Sequence, residues 1–331
     1  MDEALRIAVV QAHDAPPDTA ANLRAGLAGL AAAADAGAGL IVFPELFLGG
    51  YYLDHAMARR AADASAALDR LQAAVDETGA AAVLGAALLG ARGSARAAAG
   101  RPAVPAIDPL AAPLPSGDVL LNAVAVLRPH LEPAYAVKAH LYPGEDEWFT
   151  PGHALWTGRI AGWPCGIAVC YELGFPEVTR LLALRGARLI LLPAAFGRAR
   201  ARIWDVLTRA RAIENGCYLA AAGQAGAAGG RRFLGCSRIV DPYGEVIAGC
   251  SSDGSGATAD AADDERDATD PQCPTVGETL RVGHHTVHLA DLSADRVAAA
   301  RRGDDGWHRT LTDRRPRLYD DLTREPPSET R

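Results

Sequence analysis

Apolar residues in this chain fall into short runs separated by longer stretches of helical character. Leu40-Ile41-Val42-Phe43 and Leu189-Ile190-Leu191-Leu192 are unbroken apolar runs and read as buried strands. Further strands are predicted over residues 6–11, 81–89, 119–127, 135–138, 166–169, 218–222 and 285–290. Helices are predicted over 19–36 with Asp18 or Thr19 as the cap, near 61–78, over 203–215 and from Ser293 onward. Another helix opens at Pro176, because proline suits the first helical position, where its missing N–H would be unpaired anyway. Residues 235–240 and 245–248 flank Asp241-Pro242-Tyr243-Gly244, a turn signal that makes a hairpin. This alternation predicts an α/β fold whose strands are covered on one face or both. Two segments break the rhythm: 92–117, rich in Ala, Pro and Gly, and 251–275, rich in Asp, Ala, Gly and Ser. Both read as surface insertions in a single domain spanning 1–331, since no linker or repeat divides the chain.

Composition narrows the function classes. The chain has 331 residues, is 49% hydrophobic and 22% charged, and carries a formal net charge of −7, as expected of a globular enzyme with a substantial core. There is no basic stripe, so a nucleic-acid partner is not expected. No apolar segment reaches transmembrane length, and Met1-Asp2-Glu3-Ala4-Leu5-Arg6 does not read as a signal peptide. Six cysteines (Cys165, Cys170, Cys217, Cys236, Cys250, Cys273) are scattered without a CxxC pair. That pattern predicts a cytoplasmic protein with neither structural disulfides nor a zinc knuckle. His284, His285 and His288 lie close in sequence, but no Cys or acid completes a ligand set, so a structural role is expected and no metal or organic cofactor.

Three segments share one design, in which an apolar strand delivers a reactive side chain at its C-terminal end. They give Glu45 in Val42-Phe43-Pro44-Glu45-Leu46, Lys138 in Tyr135-Ala136-Val137-Lys138-Ala139-His140-Leu141, and Cys170 before Tyr171-Glu172-Leu173-Gly174-Phe175-Pro176. A lone cysteine is more often a small core residue than a nucleophile. The three residue types are nevertheless complementary. A free thiol is only a few per cent thiolate at neutral pH, a carboxylate can take its proton and return it to a leaving amine, and a cation can stabilise an oxyanion. The Tyr171 N–H is a plausible second oxyanion donor. The set suits acyl transfer at an amide or nitrile carbon.

In this order the motifs resemble the nitrilase superfamily of carbon–nitrogen hydrolases. The resemblance rests on Phe43-Pro44-Glu45-Leu46 with Gly50-Tyr51, Lys138-Ala139-His140-Leu141, Glu145 with Phe149-Thr150-Pro151-Gly152, and Cys170-Tyr171-Glu172 with Phe175-Pro176-Glu177. It continues through Arg211-Ala212-Ile213-Glu214-Asn215, Gly235-Cys236-Ser237, Asp241-Pro242-Tyr243-Gly244 and Asp313-Arg314-Arg315-Pro316-Arg317-Leu318-Tyr319. It implies a four-layer αββα sandwich that pairs into homodimers or larger homo-oligomers. It also implies Glu45 as base, Cys170 as nucleophile and Lys138 as oxyanion stabiliser. A second glutamate is implied seven residues before the glycine of Pro151-Gly152, which selects Glu145, with Glu147 as its rival. Matching positions put Tyr51, Phe149, Tyr171 and Ala195 against substrate, with Trp148, Ala194 and Phe196 nearby. Core packing is the alternative for each aromatic, and Trp204 reads as core.

Tyr directly after the cysteine resembles the amidase-type members, whereas nitrilases carry Trp there. Gly174 supplies no guanidinium at the position where carboxylate-handling members often carry Arg. The expected substrate is therefore a small neutral amide, hydrolysed through a thioester. An N-carbamoyl amine hydrolase and a nitrilase remain alternatives. A non-catalytic scaffold is disfavoured, because it would have no need of Glu45, Lys138 and Cys170 together.

Overall fold

The structure, a computed structural model, describes residues 4–91, 118–251, 274–304, 306, 309–319 and 322. The expected insertion at 92–117, and residues 252–273 of the second one, lie outside the described residues. The first half runs β1 (Ala4–His13), α1 (Thr19–Asp35), β2 (Leu40–Val42), α2 (Met57–Thr78), β3 (Ala81–Ala91), β4 (Asp118–Arg128) and β5 (Leu131–Val137). The second runs β6 (Thr157–Ile160), β7 (Trp163–Ile167), α3 (Pro176–Leu184), β8 (Leu189–Ala194), α4 (Ala201–Asn215), β9 (Tyr218–Ala228), β10 (Arg231–Leu234), β11 (Arg238–Val240) and β12 (Val246–Cys250). After the second insertion come β13 (Thr275–Val276), β14 (Glu278–Val282), β15 (His285–Ser293) and α5 (Ala294–Arg302).

The strands form two stacked sheets. One has the order β14-β15-β1-β2-β3-β4-β5, and the other β6-β7-β8-β9-β11-β12-β13. They are stitched at one end, where β1 pairs with β9 through Ala12–Gln224 and His13–Ala225. Alternation decides what each face meets. Ile7, Val9, Leu40, Val42 and Val83 turn towards the second sheet and its Cys165, Ile167, Leu189 and Leu191. The intervening Ala8, Val10, Ile41, Ala82 and Leu84 turn outward onto Leu23 and Leu30 of α1 and Leu68, Leu71 and Val75 of α2. On the far side, the bare Cα of Gly166 faces Leu182 of α3. The result is helix, sheet, sheet, helix, with the apolar centre between the sheets.

The same pairings aim the site. β1 runs parallel to both β2 and β9, and β9 runs parallel to β8, which is parallel to β7. β5 reaches the same direction through two antiparallel steps, from β3 to β4 to β5. The C-terminal ends of β2, β5, β7 and β8 therefore face one end of the sandwich, and each of the three expected reactive residues lies just past one of them.

Local chemistry sets the ends of the elements. Asp18, rather than Thr19, caps α1 and accepts from the Ala20 and Ala21 N–H groups at 2.9 and 3.0 Å. α2 starts at Met57, earlier than expected, and stops at Gly79, whose φ of 71° closes the helix in a left-handed turn. β6, β10, β13 and β14 are additional to the predicted strands. One expectation is corrected: Cys250 is disulfide-bonded, while Cys165, Cys170, Cys217 and Cys236 are free. A disulfide joins residues that folding brings together, so scattered spacing carries no signal of it. Among the described residues, no helix is long and apolar enough to cross a membrane.

Candidate active site

Cys170 follows β7 at the start of a short 3₁₀ turn, Cys170–Gly174, that leads into α3. Its φ of 45° lies in the left-handed region, a strained setting for a residue with a side chain, and such strain concentrates at functional sites. The surroundings hold that turn in place. Glu172 accepts from the Val169 N–H with one oxygen (2.8 Å) and from the Ala139 and His140 N–H groups with the other (2.8 and 3.2 Å). The nucleophile turn is thereby tied to the segment that follows Lys138. Arg211 of α4 donates to the Leu173 carbonyl at 3.0 Å from the opposite side.

Glu45 lies beyond β2 and is fully buried. Its Oε1 accepts from Lys138 Nζ at 2.6 Å and from Asn122 Nδ2 at 2.8 Å, and its Oε2 from the Ala195 N–H at 3.1 Å. The loop carrying it crosses Gly85 of β3 so closely that a Cβ there would come within 2.4 Å of Leu46 N and 2.5 Å of Glu45 Cα. Lys138, also fully buried, reaches from Glu45 to Glu145, donating to Glu145 Oε2 at 2.8 Å and Oε1 at 3.0 Å. Glu145 further accepts from the Tyr51 hydroxyl at 2.6 Å and the Tyr142 N–H at 2.8 Å. Its loop is fastened back by the Gly152 N–H on the Lys138 carbonyl, at a point where a Cβ on residue 152 would sit 2.4 Å from the Val137 oxygen.

The electrostatics follow from burial and from this ring of charges. Burial pushes the Cys170 thiol well up, and the charge of nearby Glu45 pushes it further. Lys138 and the Ala195 N–H pull it back without cancelling the rise, so the resting group is a thiol. Burial alone would lower Lys138. The negative fields of Glu45 and Glu145 outweigh it and keep the amine an ammonium. Burial and then the Glu45 charge raise Glu145, against the pull of Lys138 and Tyr51. Burial followed by the two carboxylates raises Tyr51, which keeps its hydroxyl proton.

Cys170 opens into a cavity of about 610 Å³, within the range typical of small-molecule sites. Tyr51, Tyr142, Tyr171, Gly174, Ala195 and Phe196 line it. Four arginines, Arg198, Arg200, Arg231 and Arg232, also line it, together with the apolar Ile203, Leu207 and Phe233. The structure thus brings together Glu45, Lys138, Glu145 and Cys170, with Tyr51, Tyr171 and Ala195 beside them. Glu147 is exposed. Phe149 does not line the cavity and packs behind it with Leu46 and Tyr51. Trp204 is core, with its ring centroid 5.0 Å from that of Phe196. Gly174 does line the cavity, yet the uncharged wall inferred from it is not what the fold builds, because the guanidinium groups come from other loops. His285 and His288 sit in β15 with their pKa values lowered to about 4 by burial, and His285 Nδ1 accepts from the His13 N–H at 3.1 Å. Among the described residues, no group of three or more His, Cys, Asp or Glu is placed to hold a metal ion.

Comparison with known proteins gives the family. The sequence profile of the carbon-nitrogen hydrolase family matches residues 6–266. The chain belongs to the carbon-nitrogen hydrolase family. A solved family structure, a double mutant of the amidase from Nesterenkonia sp. AN1 in complex with acrylamide, superposes with a TM-score of 0.68 at 25% identity, covering 96% of this chain and 97% of that one. A butyramide complex of the same amidase gives 0.67 at 26% identity, covering 96% of each chain. Among curated relatives, deaminated glutathione amidase from Rattus norvegicus is 42% identical over 110 residues, 32% of this chain and 34% of the relative. The Homo sapiens protein of that name is 48% identical over 88 residues, 26% and 27% respectively. The matched part therefore spans about a quarter to a third of those relatives' length.

Sequence reasoning gave no role to Asn122, Glu172 or Arg211. Asn122 had a signal: it is the single polar residue in the middle of an apolar strand, and a fully buried amide needs a partner.

Proposed function

We propose that the protein is an amidase that hydrolyses a small amide through a thioester on Cys170. The supporting observation is the buried chain of contacts Glu45–Lys138–Glu145 beside a strained cysteine that opens into a cavity of small-molecule size. Because the thiol is held protonated, attack on the amide carbon is coupled to proton transfer onto Glu45, the nearby carboxylate. Lys138, held as an ammonium between two carboxylates, faces the oxyanion that develops, and the Tyr171 N–H is the second donor. Glu45 then returns the proton to the leaving ammonia or amine. It next activates the water that hydrolyses the thioester and frees the acid and the thiol. Glu145 holds Lys138 in position and, through Tyr51, joins the chemistry to the cavity wall.

The test is ammonia release from a panel of amides, nitriles and N-carbamoyl compounds, with Cys170→Ala as control. Cysteine-dependent release from amides supports the reading. Release only from nitriles, or carbon dioxide accompanying ammonia from carbamoyl compounds, replaces it with one of the two alternative reactions.

A further inference from the structure

The cavity wall has a property that the reaction chemistry does not require. Arg198, Arg200, Arg231 and Arg232 all line it, and among the described residues no acidic residue does and none of the four makes a salt bridge. The pairs are far apart in sequence but are fastened together in the fold. Gly197 forms a bridge with Phe233 of β10, and the Leu234 N–H donates to the Phe196 carbonyl at 2.8 Å. The Arg198–Arg200 turn and the Arg231–Arg232 strand are therefore neighbours over one opening. Arg200 is held there: it donates to the Tyr142 hydroxyl, and its guanidinium carbon lies 4.9 Å from the centroid of that ring. It also fills the space beside Gly197, where a Cβ would come within 2.7 Å of its Nη1. Arg231 lies 5.7 Å from the ring centroid of Tyr51, the residue that hydrogen-bonds Glu145.

Like charges gathered around one opening repel unless an anion joins them. Guanidinium groups bind carboxylates with paired N–H donors, and a cleft lined by one sign of charge raises the local concentration of the opposite sign. The floor carries the contrary bias, with two carboxylates against the single ammonium of Lys138. A molecule bearing an amide at one end and a carboxylate at the other is thereby oriented, amide inward to Cys170 and carboxylate outward to the arginines.

We infer that the substrate is an amide bearing a carboxylate remote from the scissile bond, held at the cavity mouth by Arg198, Arg200, Arg231 and Arg232. This inference rests on the amidase reading and narrows its substrate class.

The experiment compares glutaramate with glutaramide, which differ only in a carboxylate against a carboxamide at the far end. The kcat/KM ratio is expected to favour glutaramate by about 10- to 100-fold, as for hydrogen bonds to a charged group. Raising the salt should shrink the preference, because the guanidinium groups are partly exposed. Arg200→Gln with Arg198→Gln should collapse it, while Arg202→Gln, an exposed arginine of α4 that does not line the cavity, should leave it intact. Equal use of both amides, or a preference indifferent to Arg198 and Arg200, overturns the inference and leaves the amidase reading standing. Calorimetric binding of glutaramate to Cys170→Ala separates the two claims. Arginine-dependent binding without turnover of any amide by the intact enzyme would sustain the anion site and sink the reaction. No binding of glutaramate together with turnover of neutral amides would do the reverse.

Discussion

The floor and the mouth of the cavity are built on opposite principles. At the floor, Glu45, Lys138 and Glu145 are fully buried, and each carboxylate is satisfied several times over, by Asn122, Tyr51 and the N–H groups of Ala195 and Tyr142. At the mouth, four guanidinium groups stand without acidic partners among the described residues. A buried ion pair needs such complete satisfaction, because removing one member leaves a charge stranded out of water. An exposed guanidinium does not, since water solvates it until a ligand arrives. On the proposed reading the contrast divides the labour: the floor carries the reaction, and the mouth selects the amide brought to it.

Changes at the floor should be the most severe. Cys170→Ala is expected to remove turnover by on the order of 10⁴-fold or more with the fold retained, measured as kcat alongside a urea midpoint. Retained activity would erase the floor's claim to the chemistry. Lys138→Gln should affect two readouts together. It strands two buried carboxylates, at about 3–5 kcal/mol of stability, and it removes an oxyanion donor, at about 10²–10³ in kcat. A kcat loss without a stability loss would mean that the Glu45–Lys138–Glu145 contacts are not the tight set described. Gly85→Ala tests the same floor from behind, since its Cβ cannot coexist with the Glu45 backbone. Loss of both stability and activity is expected, and an unperturbed enzyme would show that the crossing is looser.

Smaller effects sharpen the other side. Tyr51→Phe removes one hydrogen bond to Glu145, and a decrease of about 10- to 100-fold in kcat/KM is expected from steady-state kinetics. At the mouth, Arg200→Gln should leave the urea midpoint within about 0.5 kcal/mol of wild type, as for a surface change. A large destabilisation would mean that the arginines serve the fold rather than the ligand. Away from both regions, His285 and His288 are held neutral by burial, with folded pKa values of about 4 against an ordinary value of 6.5. Between those values the unfolded chain binds the extra protons. Stability should therefore be intact above about pH 6.5 and fall as pH drops towards 4, by on the order of 1 kcal/mol per unit for each histidine. A flat urea midpoint from pH 7 to 5 would contradict this.

The two regions also differ in how far the sequence foretells them. Glu45, Lys138 and Cys170 each end an apolar run, so the strand signal itself marks where a reactive side chain emerges. Glu145 is legible only through the family resemblance, which implies a glutamate seven residues before Gly152, and burial separates it from the exposed Glu147. Strands apolar on both faces, as in Leu40–Val42, foretell covered sheets, while the two-sheet stack itself comes from the family resemblance. The mouth has no such signal. Arg198, Arg200, Arg231 and Arg232 carry no reading in the sequence; the Gly197–Phe233 bridge sets one pair beside the other, and that long-range pairing leaves no periodic trace. Gly174 is limited for the same reason: a missing guanidinium at one position says nothing about those delivered by other loops. The disulfide at Cys250 was hidden likewise, since spacing along the chain does not report distance in the fold.

The central claim is that Cys170 carries the acyl group between the two halves of the reaction. Rapid-quench intact-mass analysis during turnover of an amide tests it most directly. The account predicts a transient adduct with the mass of the acyl moiety, mapped to the peptide containing Cys170 and missing in Cys170→Ala. Turnover without that adduct, or an adduct on another cysteine, would contradict it.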